Sequence, residues 1–227
     1  MNMPTHEYQR LLIRLLAMTL IVSALFAAFP QLDIYTAAVF YQDGFWMNEV
    51  PALQFIRMAL IWGMTGFALF LLLLFVLALV RRRPVRALGY ALAVILTGPL
   101  FLVNSVLKNN WGRARPEDIM VFGGDKIFTP AYFYTDQCDT NCSFTSGEGG
   151  AIATVAILIA FFAWPKLGKT GRRRLLAGLG ALVLFGAGLR VAMGQHFLSD
   201  TLLSILFCAL VAAVFYRVFY PDNRRSA

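Results

Sequence analysis

The residues best equipped for chemistry lie between Arg190 and Asp200, in a short segment that separates two long apolar runs. His196 is followed four residues later by Asp200, a spacing that on a helix brings imidazole and carboxylate to one face. Such a carboxylate fixes the tautomer of the imidazole and stabilises its charged form, so the other ring nitrogen can act as nucleophile or base. A histidine capped at a helix start is the structural alternative, and the rest of the chain must decide between them.

Two other segments that border apolar runs carry cations and a helix-start serine. Residues 108–116 contain Lys108, Arg113 and Arg115, and residues 143–148 end in Ser146, Gly147 and Glu148. Arginine and lysine neutralise phosphoryl oxygens that gain charge in a transition state. The first N–H groups of a helix beginning at Ser146-Gly147 lack partners and attract anions. Each segment alone is also typical of membrane anchoring or helix capping, but together they predict a site that transfers a phosphoryl group.

The composition indicates a membrane protein. Hydrophobic residues make up 59% of the 227 residues and the mean hydropathy is +0.67, above the usual values for soluble domains. Six apolar runs approach the roughly 20 residues that a helix needs to cross the hydrocarbon layer: residues 11–29, 56–80, 86–107, 147–164, 175–193 and 197–219. We predict an all-α polytopic membrane protein, one domain over residues 1–227 with six transmembrane helices. The first run lacks a small-residue cleavage site, so we expect it to be retained.

The net charge of +8 reports orientation. Most of the lysines and arginines fall near the N-terminus, at 81–86, at 166–174 and near the C-terminus, which the number of spans puts on one side. Basic residues concentrate on the cytoplasmic side of membrane proteins, so we predict cytoplasmic termini. The three motif segments then lie at the outer, periplasmic boundary of an inner membrane, and the excess charge does not imply a nucleic-acid partner.

Two outer segments have compositions that predict order. Residues 30–55 mix acidic and aromatic residues, as expected for a re-entrant or amphipathic piece at the lipid interface. The loop 108–145 is rich in phenylalanine and tyrosine, which favours an ordered, lipid-facing flap. It contains Cys138 and Cys142, which form either a disulfide, permitted in an oxidising periplasm, or two free thiols. A C-x3-C pair without further ligands is poor support for zinc, and we expect Cys208 to serve packing alone.

These residues carry a resemblance to the type 2 phosphatidic acid phosphatase family, membrane relatives of the vanadium haloperoxidases. The family's pattern of Lys, six residues and Arg-Pro matches 108–116, and its pattern of Arg, five residues, His, three residues and Asp matches 190–200. The resemblance covers about residues 86–219. It implies six helices and a site without metal or cofactor, in which phosphate is held by Lys108, Arg115, Arg190 and the Ser146-Gly147 amides. It also implies that His196 attacks phosphorus to give a phosphohistidine, and Arg113 is an additional candidate ligand.

The middle motif departs from the family's Pro-Ser-Gly-His, because residues 145–148 read T-S-G-E. The histidine that protonates the leaving oxygen is replaced by Glu148. Either phosphate and partial burial favour the protonated carboxyl, so that Glu148 is the acid, or the leaving group needs no acid and Glu148 orders a neighbouring cation. The C-S-F-T-S-G-E form is similar to a bacterial branch that includes lipid A 4′-phosphatase-like enzymes, which favours the first account.

The residues and the resemblance together predict a membrane phosphatase that acts on a lipid phosphomonoester, with lipid A at its 4′ position as the best single expectation. Enzymes acting on undecaprenyl diphosphate or phosphatidylglycerophosphate would use the same residues, as would a lipid phosphotransferase. An anion transporter is the distant alternative. It would need cations along a path at mid-membrane depth, whereas these cations lie at the membrane boundary.

Overall fold

A computed structural model describes residues 3–221, and the chain in this range is helical and contains no β-strand. The helices are α1 (Thr5–Ala28), α2 (Gln31–Ala38), α3 (Pro51–Val80), α4 (Arg86–Asn110), α5 (Gly147–Ala163), α6 (Lys169–Ala192) and α7 (Leu198–Phe219). All but the short α2 are long and apolar enough to cross a membrane, α5 with the 3₁₀ turn Trp164–Lys166 that continues it. The prediction of an all-α fold with six membrane-spanning helices is confirmed.

Several helices begin earlier than the apolar runs. α1 starts at Thr5 and α6 at Lys169, both about six residues before the hydropathy rises. Lysine and arginine are good helix formers, so the basic residues that precede the apolar part, such as Arg10 in α1 and Lys169 in α6, continue the helix. α3 begins at Pro51, where a proline fits because the first helical N–H has no partner in any case.

The second half of α4 is wound more loosely than an α-helix. Its turns are of the π type over Leu96–Leu107 and contain Pro99, which cannot donate a backbone hydrogen bond. The Asn104 side chain donates to the Pro99 carbonyl at 2.7 Å. This brings Asn104 against the start of α5, where any side chain on Gly147 would overlap its amide. Glycine at this position therefore allows α4 and α5 to approach closely.

The helices differ in how much of their surface the protein covers. The most apolar stretches of α4, α5 and α7 are 39–44% buried, whereas those of α1 and α3 are only 6% and 11% buried. α4, α5 and α7 therefore form the centre of the bundle, and α1 and α3 are its most exposed helices.

The segments between the helices at the end of the bundle opposite Thr5 pack into one cap. Buried Phe45, Ile119, Phe122 and Phe197 form its apolar centre. This accounts for the order predicted for the long loop, although the loop also exposes Phe133 and Tyr134. Cys138 and Cys142 are joined by a disulfide within it, and Cys208 is a free, buried cysteine in α7.

Candidate active site

His196 lies in the turn between α6 and α7. The turn depends on Gly194, which has a φ of +69° and no room for a side chain against the Phe45 ring. The imidazole is 1% exposed, and its Nδ1 lies 2.7 Å from the Ser143 carbonyl oxygen. A carbonyl only accepts hydrogen bonds, so Nδ1 carries the proton and Nε2 has the free lone pair of the neutral ring.

The surroundings of His196 keep its ring neutral. Burial, followed by the positive charges of Lys108, Arg190 and Arg115, lowers the pKa of His196 well below its ordinary value. A neutral imidazole with a protonated Nδ1 is the form in which Nε2 can act as nucleophile.

Asp200 is connected to His196 indirectly. α7 starts at Leu198, so His196 precedes the helix, and the Asp200 carboxylate instead caps the Phe197 N–H at 3.0 Å. The same carboxylate accepts a hydrogen bond from the Ser143 hydroxyl at 2.5 Å, and Ser143 in turn offers its carbonyl to the imidazole. The direct imidazole–carboxylate pair expected from the four-residue spacing is thus replaced by a link through Ser143.

Arg113 lies behind this link and does not serve as a free cation. Its side chain is fully buried, with Nη2 2.9 Å from an Asp33 oxygen and Nη1 paired with Asp200. Its Nε donates to the Thr129 carbonyl at 2.8 Å, and the guanidinium lies 4.2 Å from the centre of the Phe197 ring. The expectation that Arg113 adds to phosphate binding stays a prediction that this geometry disfavours, because carboxylates occupy both ends of the guanidinium.

Asp33 completes this buried network. It lies on α2 and is 1% exposed, and its oxygens accept hydrogen bonds from the Ser199 N–H at 2.9 Å and the Ser199 hydroxyl at 2.5 Å. We call Asp33, Arg113, Ser143, Ser199 and Asp200 the buried network. It ties α2, the loop before α5 and the start of α7 to the carbonyl that orients His196.

The remaining motif cations are close to His196 and less occupied. Arg115 donates to the Gln195 side-chain oxygen and, at 2.9 Å, to the Asn141 carbonyl. Arg190 is 5% exposed and reaches the same Gln195 oxygen at 3.4 Å. Lys108 is half-buried, and within residues 3–221 its ammonium has neither a hydrogen-bond nor an ion-pair partner. We call Lys108, Arg115 and Arg190 the cation cluster, with Gln195 joining its two arginines.

The start of α5 offers backbone donors, although fewer than expected. The Ser146 N–H is used by the Asp200 carbonyl at 3.3 Å, and the Ser146 hydroxyl accepts from the Gly149 N–H at 3.2 Å. Ser146 is thus the cap of the helix. The first-turn amides of Gly147 and Glu148 are left as the donors that an anion could use.

Glu148 is ion-paired. Its carboxylate receives Arg57 of α3 in a fork, with Nη2 at 2.8 Å and Nε at 3.0 and 3.2 Å from its oxygens. Arg190 Nε lies 3.3 Å from the same carboxylate. Both guanidiniums are held by the oxygens of this one side chain, so the geometry fits the account in which Glu148 orders a cation better than the account in which it donates a proton.

Four residues at this end did not stand out in the sequence as site residues: Asp33, Arg57, Ser143 and Gln195. Asp33 and Arg57 carried one signal, a charge beside an apolar run. Ser143 and Gln195 carried none, because they act through a carbonyl and an amide. A fifth residue, the acidic Glu117, lies next to Gln195, and burial raises its pKa.

Comparison with known proteins identifies a family and several similar sequences. The model of the PAP2 superfamily matches residues 86–224. A lipid A 4'-phosphatase of Rhizobium leguminosarum is 30% identical over 83% of this chain and 90% of its own, and one of Francisella tularensis subsp. novicida is 32% identical over 86% and 89%. A lipid A 4'-phosphatase of Rhizobium etli is 35% identical over 56% of this chain and 49% of its own. No solved structure gave a significant match.

The six apolar helices and the family match define the protein as a membrane phosphatase, a phosphoric monoester hydrolase. The chain belongs to the PAP2 superfamily. The resemblance inferred from the motif spacings is thereby confirmed, and the similar proteins support a membrane lipid phosphatase from a bacterium.

Proposed function

We propose that the protein removes the 4′-phosphate of lipid A at the periplasmic face of the inner membrane through a phosphohistidine intermediate. The names of the three relatives support the substrate. The segregation of basic residues to the opposite end of the bundle supports the face. The observation that carries the chemistry is the His196 tautomer, fixed by the Ser143 carbonyl at 2.7 Å beside three cations.

In the first step the lone pair of His196 Nε2 attacks phosphorus, the P–N bond forms and the bond from phosphorus to the sugar oxygen breaks. The leaving oxygen takes up one proton from solvent water and becomes the hydroxyl of the lipid. The cation cluster neutralises the charge that grows on the phosphoryl oxygens. Asp200, which is linked to His196 through Ser143, stabilises the positively charged ring that results.

In the second step water attacks phosphorus, the P–N bond breaks and inorganic phosphate leaves with the neutral imidazole restored. Lys108, Arg115 and Arg190 supply the charge stabilisation, so we propose that the reaction is metal-independent. Chelation with EDTA should then leave the rate unchanged, whereas vanadate, which adopts the geometry of the transition state, should inhibit.

A cavity beside the site supports a lipid substrate. It has a volume of about 370 Å³ and lies between α3, α4 and α5, with Lys108 and Glu148 at one end. Its other lining residues are mostly apolar, among them Ile61, Met64 and Leu100. An acyl chain in this cavity would leave a phosphate near the cation cluster.

The ion pairs of Glu148 favour one second candidate, hydrolysis of a diphosphate such as undecaprenyl diphosphate. A phosphate leaving group scarcely needs protonation, so a site in which Glu148 pairs with Arg57 and Arg190 and does not serve as the acid would suit it. Phosphatidylglycerophosphate hydrolysis and transfer of the phosphoryl group to another lipid use the same first step and differ in leaving group or acceptor. An anion transporter is disfavoured, because the cations lie at one end of the bundle.

The test is phosphate release by the detergent-solubilised protein from lipid A, phosphatidylglycerophosphate and undecaprenyl diphosphate. We expect lipid A to be the preferred substrate and to lose its 4′-phosphate to water. Labelled substrate should give an acid-labile, base-stable phosphoenzyme in the wild type and none in His196→Ala. Equal labelling of His196→Ala would refute the nucleophile, and preference for the diphosphate would replace the proposed substrate.

A further inference from the structure

Arg57 lies outside the region matched by the family model and yet reaches the candidate site. It is in the second turn of α3, and its guanidinium binds the Glu148 carboxylate through two nitrogens at 2.8–3.2 Å. The pair is about a quarter exposed, 27% for Arg57 and 24% for Glu148. Forked pairs of this kind fix the orientation of both side chains as well as their separation.

The Glu148 carboxylate that binds Arg57 also contacts Arg190. Arg190 is a buried cation whose contacts to Gln195 and to the Met193 sulfur are long, at 3.4 and 3.5 Å. Its Nε is buried, has no hydrogen-bond partner among residues 3–221, and lies 3.3 Å from Glu148. The position of Arg190 therefore depends on where the Glu148 carboxylate is held.

The charges explain why a second arginine is needed. The Glu148 carboxylate lies against Arg190, and Lys108 adds a further positive charge near both residues. Without Arg57, the Glu148 carboxylate would direct its charge at Arg190 and would repel an incoming phosphate. Arg57 neutralises that charge from the opposite side.

The same face of α3 borders the cavity. Ile61, Met64 and Ala68 line it, and Arg57 stands one turn before Ile61, at the spacing that puts residues on one helix face. Arg57 therefore closes the outer end of this face, where the cavity meets Lys108 and Glu148.

We propose that Arg57 is a positioning residue of the phosphatase: it holds and neutralises Glu148, so that Arg190 stays oriented and free to bind the substrate phosphate. The proposal rests on the proposed function, because it assumes that Arg190 binds phosphate. The proposal gives α3, which lies outside the motif-bearing segments, a role in catalysis. It also gives Glu148, which replaces the family's histidine, the role of holding Arg190.

The experiment is a double-mutant cycle of Arg57→Ala and Glu148→Gln, measured as kcat/KM on an aryl phosphate whose leaving group needs no protonation. We expect Arg57→Ala to lower kcat/KM by roughly 10-fold or more, within the range of couplings in one charge network. Glu148→Gln alone should lose less, and the double variant should recover most of the loss, because the charge that Arg57 neutralises is gone. Arg57→Lys should lie between the wild type and Arg57→Ala.

Each other outcome has a distinct meaning. A double variant as inactive as Arg57→Ala would overturn the proposal, because Arg57 would then bind substrate itself or serve only packing. Arg172→Ala is the matched control, since Arg172 lies at the other end of the bundle against Trp164, and it should match the wild type. Absence of phosphate release by the wild type, or its persistence in His196→Ala, would instead refute the proposed function.

Discussion

Arg113 and Arg115 are two residues apart and are used in opposite ways. Both lie in a segment that is neither helix nor strand, and their side chains reach different partners. Arg113 is fully buried between Asp33 and Asp200, whereas Arg115 is half-buried and bound by neutral oxygen atoms of Gln195 and Asn141. The buried network is thus neutralised within the protein, while the cation cluster still has capacity for an anion. The same residue type is structural in one region and available to substrate in the other.

The largest expected difference between the two regions is in stability. Arg113→Met should lower the free energy of unfolding by about 3–5 kcal/mol, because it leaves two buried carboxylates without their common cation. Arg115→Met should leave stability close to that of the wild type. Denaturation of both variants in the same detergent measures this. Similar melting of the two would mean that the buried network does not carry the stability that its burial implies.

The opposite difference is expected in turnover. Lys108→Ala should lower kcat by a factor corresponding to about 2–4 kcal/mol, by analogy with the loss of an oxyanion donor, with little change in melting temperature. Steady-state kinetics on an aryl phosphate, alongside the stability measurement, checks this. A rise in KM with kcat unchanged would show that Lys108 only attracts substrate.

A smaller effect tests whether the buried network reaches the chemistry. Asp33→Asn keeps the shape and one acceptor oxygen but removes the negative charge that faces Arg113. The positions of Asp200, Ser143 and His196 should then be less firmly fixed. We expect kcat to fall by roughly tenfold, about 1.4 kcal/mol, with KM nearly unchanged. Asp43→Asn, at an exposed position of the same outer segment, is the control. Unchanged kcat in Asp33→Asn would confine this network to a structural role.

The smallest effect expected is a shift along the pH axis. Because burial and the cation cluster lower the pKa of His196, the ring stays neutral into mildly acidic solution, and the acid limb of kcat/KM should lie below the ordinary histidine value of about 6.5. Removing a nearby cation raises the pKa, so Arg115→Ala should move that limb to higher pH. A pH profile of the residual activity measures this. An acid limb that does not move would mean that it reports the titration of a group other than His196.

The six helices could be predicted because a run of apolar residues is a local signal, and the membrane leaves few alternatives. The motif residues could be placed at one end because the parity of the spans fixes their side. The division of labour within the site could not, since it depends on partners far away in the sequence. Arg113 resembled Arg115 until Asp33, eighty residues earlier, proved to be its partner. The direct His196–Asp200 pair was expected on the assumption that both residues lie on one helix. The helix begins only at Leu198, two residues after His196, so the pair does not form.

The length of α3 links the site to the bilayer. Its 30 residues extend about 45 Å, beyond the roughly 30 Å of a hydrocarbon layer, and little of its surface is covered by the rest of the protein. The tilt and depth of such a helix follow the thickness of the lipid around it. Arg57 is near the end of α3 that meets Glu148, so we expect the thickness of the bilayer to affect the separation between Arg57 and Glu148. On this expectation the lipid would take part in the mechanics of the enzyme.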